Sequence, residues 1–318
     1  MQKIKRRFAA MALALPVALA LGLGAASAQA QTTKITVGYV AIPDLMPLYV
    51  AKEQGFFDKR GLDVTLQTIP INPNIPPALQ SDSIQIGTVT PSVLMQAADS
   101  GLALKVIAGG SVLTAEGKTP SILVRKGVDI KTPQDFVGKR VGVAGFGATL
   151  HVLFRKWLAD KGVDPKKVNF VEVALPQTLD VMRGGTIDAT VPAEPFGARI
   201  VQAGVAVPYA YVSDDFPAAG VLPIVYGSTA GWLQKNPAAA RAFREALDEA
   251  IAFHARNPEA SRAAMGKYLR LPPEVLATLP VPRLSTTVSE SQLRFWIDAM
   301  QSQSMLKTSL NAADFVVR

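Results

Sequence analysis

The feature that most constrains the fold of this 318-residue chain is a strand-helix alternation that occurs twice in succession. Apolar segments predict strands in the first run at 34–40, 63–69, 84–89 and 104–108. Those in the second run predict strands at 121–125, 140–144, 169–173 and 187–191. Strands interleaved with helices are typical of parallel sheets built from βαβ units. The sequence therefore predicts an α/β protein with two such units in tandem.

Two segments depart from this alternation. Four prolines in 70–77 predict a stiff loop, because proline donates no backbone hydrogen bond to a helix interior or a central strand. Beyond residue 236 the apolar spacing predicts helices that pack back on the first unit, at 237–256, 259–268, 273–278 and 289–305.

The first thirty residues have the pattern of a secretory signal peptide. Four basic residues precede an apolar run at 8–24, and small residues then predict cleavage near Ala28 or Ala30. An uncleaved membrane anchor is the alternative interpretation of this segment. Export predicts a protein of the periplasm, and residues 1–30 are expected to be absent from its mature form.

Composition excludes several functional classes. Residues 1–30 carry four basic and no acidic side chains, so removing them halves the net charge of +8. A mildly basic chain gives no indication of nucleic-acid binding. The absence of cysteine excludes disulfides, zinc-thiolate sites and thiol nucleophiles. The two histidines lack metal-ligand spacing, so neither a metal nor a cofactor is predicted.

Four stretches of the chain resemble a known family of binding proteins. They are Lys34–Gln67, which contains AKEQGFFDKRGLDV, then Asp82–Gly109, Asp135–Val168 and Met182–Ile200. In this order they are similar to periplasmic substrate-binding proteins of ABC transporters. The group is the NMT1/THI5-like family, which includes sulfonate, nitrate and taurine receptors and thiamine-pyrimidine proteins.

The resemblance implies a type II periplasmic binding protein fold. Two α/β lobes would enclose a ligand cleft, joined by hinge strands that cross near Pro120–Leu123 and Leu222–Tyr226. The resemblance further implies a monomer that delivers its ligand to an ABC permease in the inner membrane. The first lobe would comprise 31–119 and the mostly helical 224–318, and the second 120–223.

Ligands of open α/β sheets bind beyond the carboxyl ends of the strands. This rule selects loops after the predicted strands, and an apolar wall is also expected around a ligand. The candidate ligand-binding residues are Asp44, Asn74, Thr90, Phe146, Gly147, Ala148, Thr149, Glu194 and Tyr226. Turn formation is the alternative role for Asp44 and Asn74, helix capping for Thr90, and core packing for the two aromatics.

Two of these loops carry opposite chemical indications. The glycines of 145–149 and the following helix start suit an anion, although a tight turn without a ligand explains the same residues. Glu194, followed by Pro195 as the predicted first helical residue, either caps that helix or accepts N–H groups of a ligand. A carboxylate beside a bare anion is unfavourable unless it is protonated or paired, for example with Arg199.

These observations favour a binding protein over an enzyme. Export separates the chain from the cytoplasmic enzymes that share this architecture, and no catalytic residues are assigned. The preferred ligand is a small organic anion, such as a sulfonate, a taurine-like compound or an aromatic carboxylate. A thiamine-precursor pyrimidine is the alternative, because Glu194 could accept its N–H groups.

Overall fold

A computed structural model describes residues 32–317 of the chain. The predicted signal peptide lies outside the described residues. The strands within this range are β1 Thr33–Tyr39, β2 Leu62–Thr68, β3 Ile86–Val89, β4 Leu104–Gly109, β5 Ser111–Val112, β6 Ser121–Arg125, β7 Arg140–Val143, β8 Asn169–Glu172, β9 Ala189–Thr190, β10 Ala206–Tyr211, β11 Val225–Thr229 and β12 Arg283–Leu284.

The helices of the same range lie mostly between strands or in the C-terminal third. They are α1 Met46–Glu53, α2 Ile75–Gln80, α3 Pro91–Asp99, α4 Thr149–Asp160, α5 Thr178–Arg183, α6 Phe196–Gln202, α7 Ala230–Lys235, α8 Pro237–Arg256, α9 Pro258–Leu269, α10 Pro273–Thr278 and α11 Glu290–Gln301. None of these described helices combines the length and apolar composition needed to cross a bilayer.

Each of the two large sheets has five strands and mixed strand directions. The first has the order β2-β1-β3-β11-β4, and the second the order β10-β6-β9-β7-β8. In the first sheet β1 is parallel to β2 and β3, whereas β11 is antiparallel to β3 and β4. In the second sheet β6 is antiparallel to both β9 and β10. The sequence predicted parallel sheets, whereas β6 and β11 are antiparallel to their neighbours. Each of these two strands follows a segment that connects one sheet to the other.

The chain passes between the sheets twice. One connecting segment lies between β5 and β6, and the other between β10 and β11. They pair with each other at a single point, where the backbone N–H groups of Leu113 and Val221 donate to each other's carbonyls at 2.8 and 2.9 Å. The crossings were expected near Pro120–Leu123 and Leu222–Tyr226, which overlap the starts of β6 and β11. The residues that pair, Leu113 and Val221, lie earlier in the chain than these expected positions.

One predicted loop is partly helical. Helix α2 begins inside 70–77, with Pro76 and Pro77 in its first turn. Proline is tolerated there because the first backbone N–H groups of a helix have no intrahelical acceptor. The prediction that this segment contains no helix was wrong, since it treated first-turn prolines as interior ones.

The apolar core extends across both sheets. Residues from Thr32 onward form one compact unit, and its largest buried cluster combines Met95 of α3, Phe154 of α4 and Trp296 of α11. A second cluster lies under the first sheet, where α8 packs on α1. Helix α11 contacts both α3 and α4, so the C-terminal helices reach beyond the first lobe on which they were expected to pack.

Candidate functional site

A cavity of roughly 180 Å³ lies where loops of both sheets meet the connecting segments. Its walls come from the loops that follow β1, β2, β3, β7, β8 and β9, from both connecting segments and from a C-terminal segment. The lining residues are Val40, Ile42, Pro43, Asp44, Pro70, Asn72, Thr90, Leu113, Gly117, Thr119, Pro120, Ala144, Ala148, Thr149, Leu150, Leu175, Ala193, Glu194, Pro223, Ile224, Pro280, Val281 and Pro282.

Five of the nine candidate residues line this cavity. They are Asp44, Thr90, Ala148, Thr149 and Glu194. The other four lie outside the lining: Asn74 is exposed, Phe146 is 48% exposed, Gly147 is turned toward Gln96, and Tyr226 is fully buried. Tyr226 packs edge-on against Phe243 in the core below the first sheet, with ring centroids 5.6 Å apart.

The structure adds lining residues that the sequence analysis did not select. Asn72, two residues before the candidate Asn74, is buried in the cavity wall. Its side-chain oxygen accepts the backbone N–H of Thr90, and its amide group donates to the Thr88 carbonyl, both at 2.9 Å. Asn72 therefore holds the β3–α3 loop against the loop after β2. The only signal in the sequence was its position in the same proline-rich loop.

Thr90 has the capping role that was its alternative interpretation. Its hydroxyl accepts the backbone N–H of Val93 at 3.3 Å at the start of α3 and lies 3.2 Å from the Ser92 hydroxyl. The Thr90 hydroxyl is thus engaged within the protein while it faces the cavity.

The loop 145–149 forms a tight turn in which the N–H groups of residues 146 to 148 have acceptors within the protein. The N–H of Phe146 donates to Glu172 at 2.8 Å, and that of Gly147 donates to Nδ1 of His151 at 2.8 Å. The Thr149 hydroxyl donates to the Pro223 carbonyl at 2.7 Å. These bonds use donors that an anion would need, so the geometry favours the tight-turn interpretation at residues 146 and 147.

His151 is buried behind this loop and is not part of the cavity lining. Burial, with a smaller contribution from the charge of Arg155, lowers its pKa to about 3. The imidazole is therefore neutral in the folded protein. Among the described residues, no cluster of three or more His, Cys, Asp or Glu side chains could hold a metal ion.

Asp44 provides one of the two carboxyl groups of the cavity. It follows β1, is partly exposed, and accepts a hydrogen bond from the Ser111 hydroxyl at 2.5 Å. Burial away from bulk solvent raises the pKa of this carboxyl, and the bond from Ser111 opposes the increase. Burial raises the pKa of two nearby phenols, Tyr49 and Tyr226, and the charge of Asp44 adds to the increase.

Glu194 provides the second carboxyl group, from the other sheet. Its Oε2 accepts the backbone N–H of Ala198 at 3.1 Å, in the first turn of α6. Pro195 is the residue that precedes this helix, so its predicted position as the first helical residue was wrong by one. Burial raises the pKa of Glu194, and the bond from Ala198 opposes the increase.

The remaining lining residues are uncharged. Asp44 and Glu194 are the only acidic residues among them, and none of the described residues that line the cavity is Lys, Arg or His. Most of the wall is aliphatic or proline. The cavity can therefore enclose a largely apolar ligand. Its two carboxyl groups can accept hydrogen bonds from polar groups of that ligand.

Comparisons with known proteins agree on one group of proteins. A family model described as NMT1/THI5 like matches residues 42–261. The nitrate/nitrite binding protein NrtA of Nostoc sp. (strain PCC 7120) is 25% identical over 247 residues, covering 69% of this chain and 53% of the relative. The bicarbonate-binding protein CmpA of Synechococcus sp. (strain ATCC 27144) is 26% identical over 267 residues, covering 74% and 56%. The chain thus spans about half the length of these curated relatives.

Solved structures share the fold at low sequence identity. The alkanesulfonate-binding protein SsuA from Xanthomonas axonopodis pv. citri, bound to MOPS, has a TM-score of 0.76 at 20% identity, covering 90% of this chain and 98% of that one. The periplasmic nitrate-binding protein NrtA from Synechocystis PCC 6803 has a TM-score of 0.73 at 18% identity, covering 89% and 84%. This likeness confirms the predicted architecture of two α/β lobes with the type II periplasmic binding protein fold.

Proposed function

This chain belongs to the NMT1/THI5-like family, and from that premise we propose that it is a solute-binding receptor of an ABC importer. It acts in the periplasm, as a monomer, and presents its bound ligand to a permease in the inner membrane. The names of the relatives support this class, because they are binding proteins for nitrate, bicarbonate and sulfonates.

The main support for this proposal is the cavity that the two sheets share. A ligand inside it touches loops of both sheets as well as the connecting segments, through residues such as Asp44, Glu194 and Leu113. A ligand that gains contacts only when the lobes approach favours the closed form by that difference in affinity. The permease then recognises the closed shape.

The lobes of the receptor are proposed to be 31–119 with 224–318, and 120–223. In support, β1 to β4 and β11 form one sheet, and β6 to β10 the other. The paired segments at Leu113 and Val221 are the natural hinge between them.

The cavity favours one of the two ligand classes that the sequence left open. A sulfonate or carboxylate would meet two carboxyl groups and no cationic side chain in the described lining. Such an anion could enter only with Asp44 and Glu194 protonated. A nitrogen-containing solute with N–H donors, of which a pyrimidine is one example, finds two acceptors there. The site therefore supports the N–H donor class better than the anion that was first preferred.

A thermal-shift screen tests both the receptor and its ligand class. Pyrimidines, amines, sulfonates and nitrate are each added at millimolar concentration, since a ligand at 100 times its dissociation constant stabilises the folded state by about 2.7 kcal/mol. We expect N–H donors to raise the melting temperature and sulfonates to leave it unchanged. Small-angle scattering with the best ligand should then show a smaller radius of gyration; unchanged dimensions at saturation would contradict closure.

The proposal excludes catalysis by this chain. The acidic pair is the only ionisable chemistry of the described cavity lining, and His151 lies outside that lining. A ligand found in the screen should be recovered unchanged after prolonged incubation, as measured by NMR. Appearance of a product would instead indicate an enzyme built on the same fold.

A further inference from the structure

We propose that Asp44 and Glu194 act as a pair of carboxylates that selects a single-ring organic cation, a protonated amine or an amidinium, as the ligand. The inference rests on the proposed receptor function and narrows its ligand class. In this pair, one carboxyl group comes from the loop after β1 and the other from the loop after β9. A cation between them contacts both sheets at once.

Each carboxyl group has unused hydrogen-bonding capacity. An ionised carboxylate offers about four acceptor positions. Among the described residues, Asp44 receives one bond from another residue, Ser111, and Glu194 receives one, from Ala198. Neither group is fully enclosed by protein, because both side chains are partly exposed and line the cavity. The free acceptor positions are therefore available to a guest.

Neither charge has a cationic partner among the described residues that line the cavity. Asp44 accepts a hydrogen bond from the Ser111 hydroxyl and interacts electrostatically with the Tyr49 and Tyr226 phenols, all uncharged. Glu194 accepts the backbone N–H of Ala198 and lies beside Gly197 and Pro192. Charges removed from water are costly unless they are paired. A cationic ligand supplies that partner, whereas an anionic ligand would add a third negative charge.

The volume of the cavity limits the size of the ligand. An engineered apolar cavity of about 150 Å³ in another protein holds one benzene molecule. The cavity here has roughly 180 Å³, which leaves room for one six-membered ring and a small polar substituent. Proline and aliphatic side chains such as Pro43, Pro223 and Ile224 provide the apolar walls for that ring.

Three probes of matched shape test the charge preference by isothermal titration calorimetry. Benzamidine carries an amidinium on a benzene ring, benzamide is its neutral counterpart, and benzenesulfonate is the anionic one. At pH 7 we expect benzamidine to bind at least ten-fold more tightly than benzamide, and benzenesulfonate not to bind. Affinity for benzamidine should strengthen as pH rises, because each carboxyl group, whose pKa is raised by burial, must lose its proton before it can pair with the cation.

Charge-removing variants assign the effect to the two residues. Asp44→Asn and Glu194→Gln keep the shape of each side chain and an oxygen for the existing hydrogen bond. Each should weaken benzamidine binding by about ten- to a hundred-fold, the range expected for a hydrogen bond to a charged group. Asp180→Asn is the matched control, since that carboxylate is 78% exposed on α5, outside the cavity lining, and should not change affinity.

Three outcomes overturn the inference and leave the receptor proposal standing. One is tight binding of benzenesulfonate with no binding of benzamidine. The second is benzamidine binding that neither Asp44→Asn nor Glu194→Gln weakens. No binding of any of the three probes also overturns the cation class. The receptor proposal fails separately, when no solute of the broader thermal-shift screen binds a correctly folded protein.

Discussion

At the scale of single residues, burial decides which ionisable groups keep their charge. His151 is enclosed between the rings of Phe146 and Phe170, with ring-centroid distances of 5.7 and 4.6 Å. Its Nδ1 accepts the N–H of Gly147, so the neutral imidazole is already part of the β7–α4 turn. A proton on Nδ1 would remove that acceptor and place an uncompensated charge beside Arg155.

This state of His151 predicts a loss of stability in acid. Its pKa is about 3 when folded and the ordinary 6.5 when unfolded. Below pH 6.5 the unfolded chain therefore binds a proton that the folded protein does not. The free energy of unfolding should fall by as much as about 4–5 kcal/mol between pH 6.5 and 3 from this residue. Urea titrations of the natural protein and His151→Gln at several pH values measure it. Parallel pH profiles of the two proteins would contradict the prediction.

At the scale of elements, strand ends and turns position the site. The turn between β7 and α4 depends on Gly145, whose φ of +119° is accessible mainly to glycine. A Cβ atom there would lie 2.9 Å from Cδ of Pro73, in the loop that follows β2. This glycine allows close approach of loops from the two sheets next to the cavity.

We expect Gly145→Ala to destabilise the protein by about 1–3 kcal/mol, through backbone strain and the close approach of Pro73. Gly231→Ala is the matched control. Gly231 lies in α7, no atom lies within 4 Å of its would-be Cβ, and its φ is not positive. Alanine there should be neutral or stabilise by up to about 1 kcal/mol. Chemical denaturation of both variants tests the contrast, and equal stabilities would contradict it.

The second sheet is held together at one end of its inner strands by Asp188, which binds Arg125 of β6 and Arg140 of β7. Burial acts to raise the pKa of Asp188, but the hydrogen bonds from the two arginines outweigh it and lower this pKa to about 2. The resulting stabilisation is present above pH 4 and is lost as pH falls toward 2.

Asp188→Asn should therefore cost about 2 kcal/mol at pH 7 and little at pH 2. Asp129→Asn is the control, because the Asp129–Lys131 pair is about four-fifths exposed and contributes little. The measurement is the free energy of unfolding at both pH values. A cost for Asp188→Asn that does not change with pH would show that the charge is unimportant.

At the scale of the whole molecule, α11 links the two lobes into one core. The indole N–H of the fully buried Trp296 donates to the Leu222 carbonyl, in a connecting segment, at 2.9 Å. Further along the chain, the Gln303 amide donates to the Val152 carbonyl of α4 at 3.3 Å. Because these contacts and the largest apolar cluster span both sheets, we expect residues 32–317 to unfold in one cooperative transition.

Trp296→Phe should destabilise the protein by about 2–4 kcal/mol, because it leaves a cavity and an unpaired buried carbonyl at Leu222. Trp232→Phe, at a half-buried site on α7, should cost clearly less. Differential scanning calorimetry measures both. Two separate transitions in the natural protein, or equal costs for the two substitutions, would show that α11 does not join the lobes.

Much of the fold follows from local signals in the sequence. The predicted bounds 237–256 and 273–278 coincide with those of α8 and α10. Prolines at helix starts, glycine turns and apolar periodicity act within a few residues, so they can be read without tertiary contacts. The match of the family model confirms the family resemblance. The sequence could reveal this resemblance because its motifs are contiguous in the chain.

Features that depend on distant partners were missed. Strand β10 pairs with β6 some eighty positions earlier in the chain, and β12 pairs with β5. Nothing in the neighbouring residues specifies such a pairing. The direction of a strand within its sheet also depends on strands that are distant in the chain. The antiparallel direction of β6 and β11 was therefore not predicted.

The candidate site likewise has local features, which the sequence predicted, and features that depend on distant residues, which it did not. The position of a loop at the carboxyl end of a strand is a local property, and it led from the sequence to Asp44, Thr90 and Glu194. Which side chains of a loop face the cavity depends on packing against other segments. Asn72 therefore lines the cavity whereas Asn74 is exposed, and the Tyr226 side chain is buried in the core. The charge of the cavity is the least local property, because electrostatic energy sums over every residue around a guest. Only the assembled wall shows two carboxyl groups and no cation among the described lining residues.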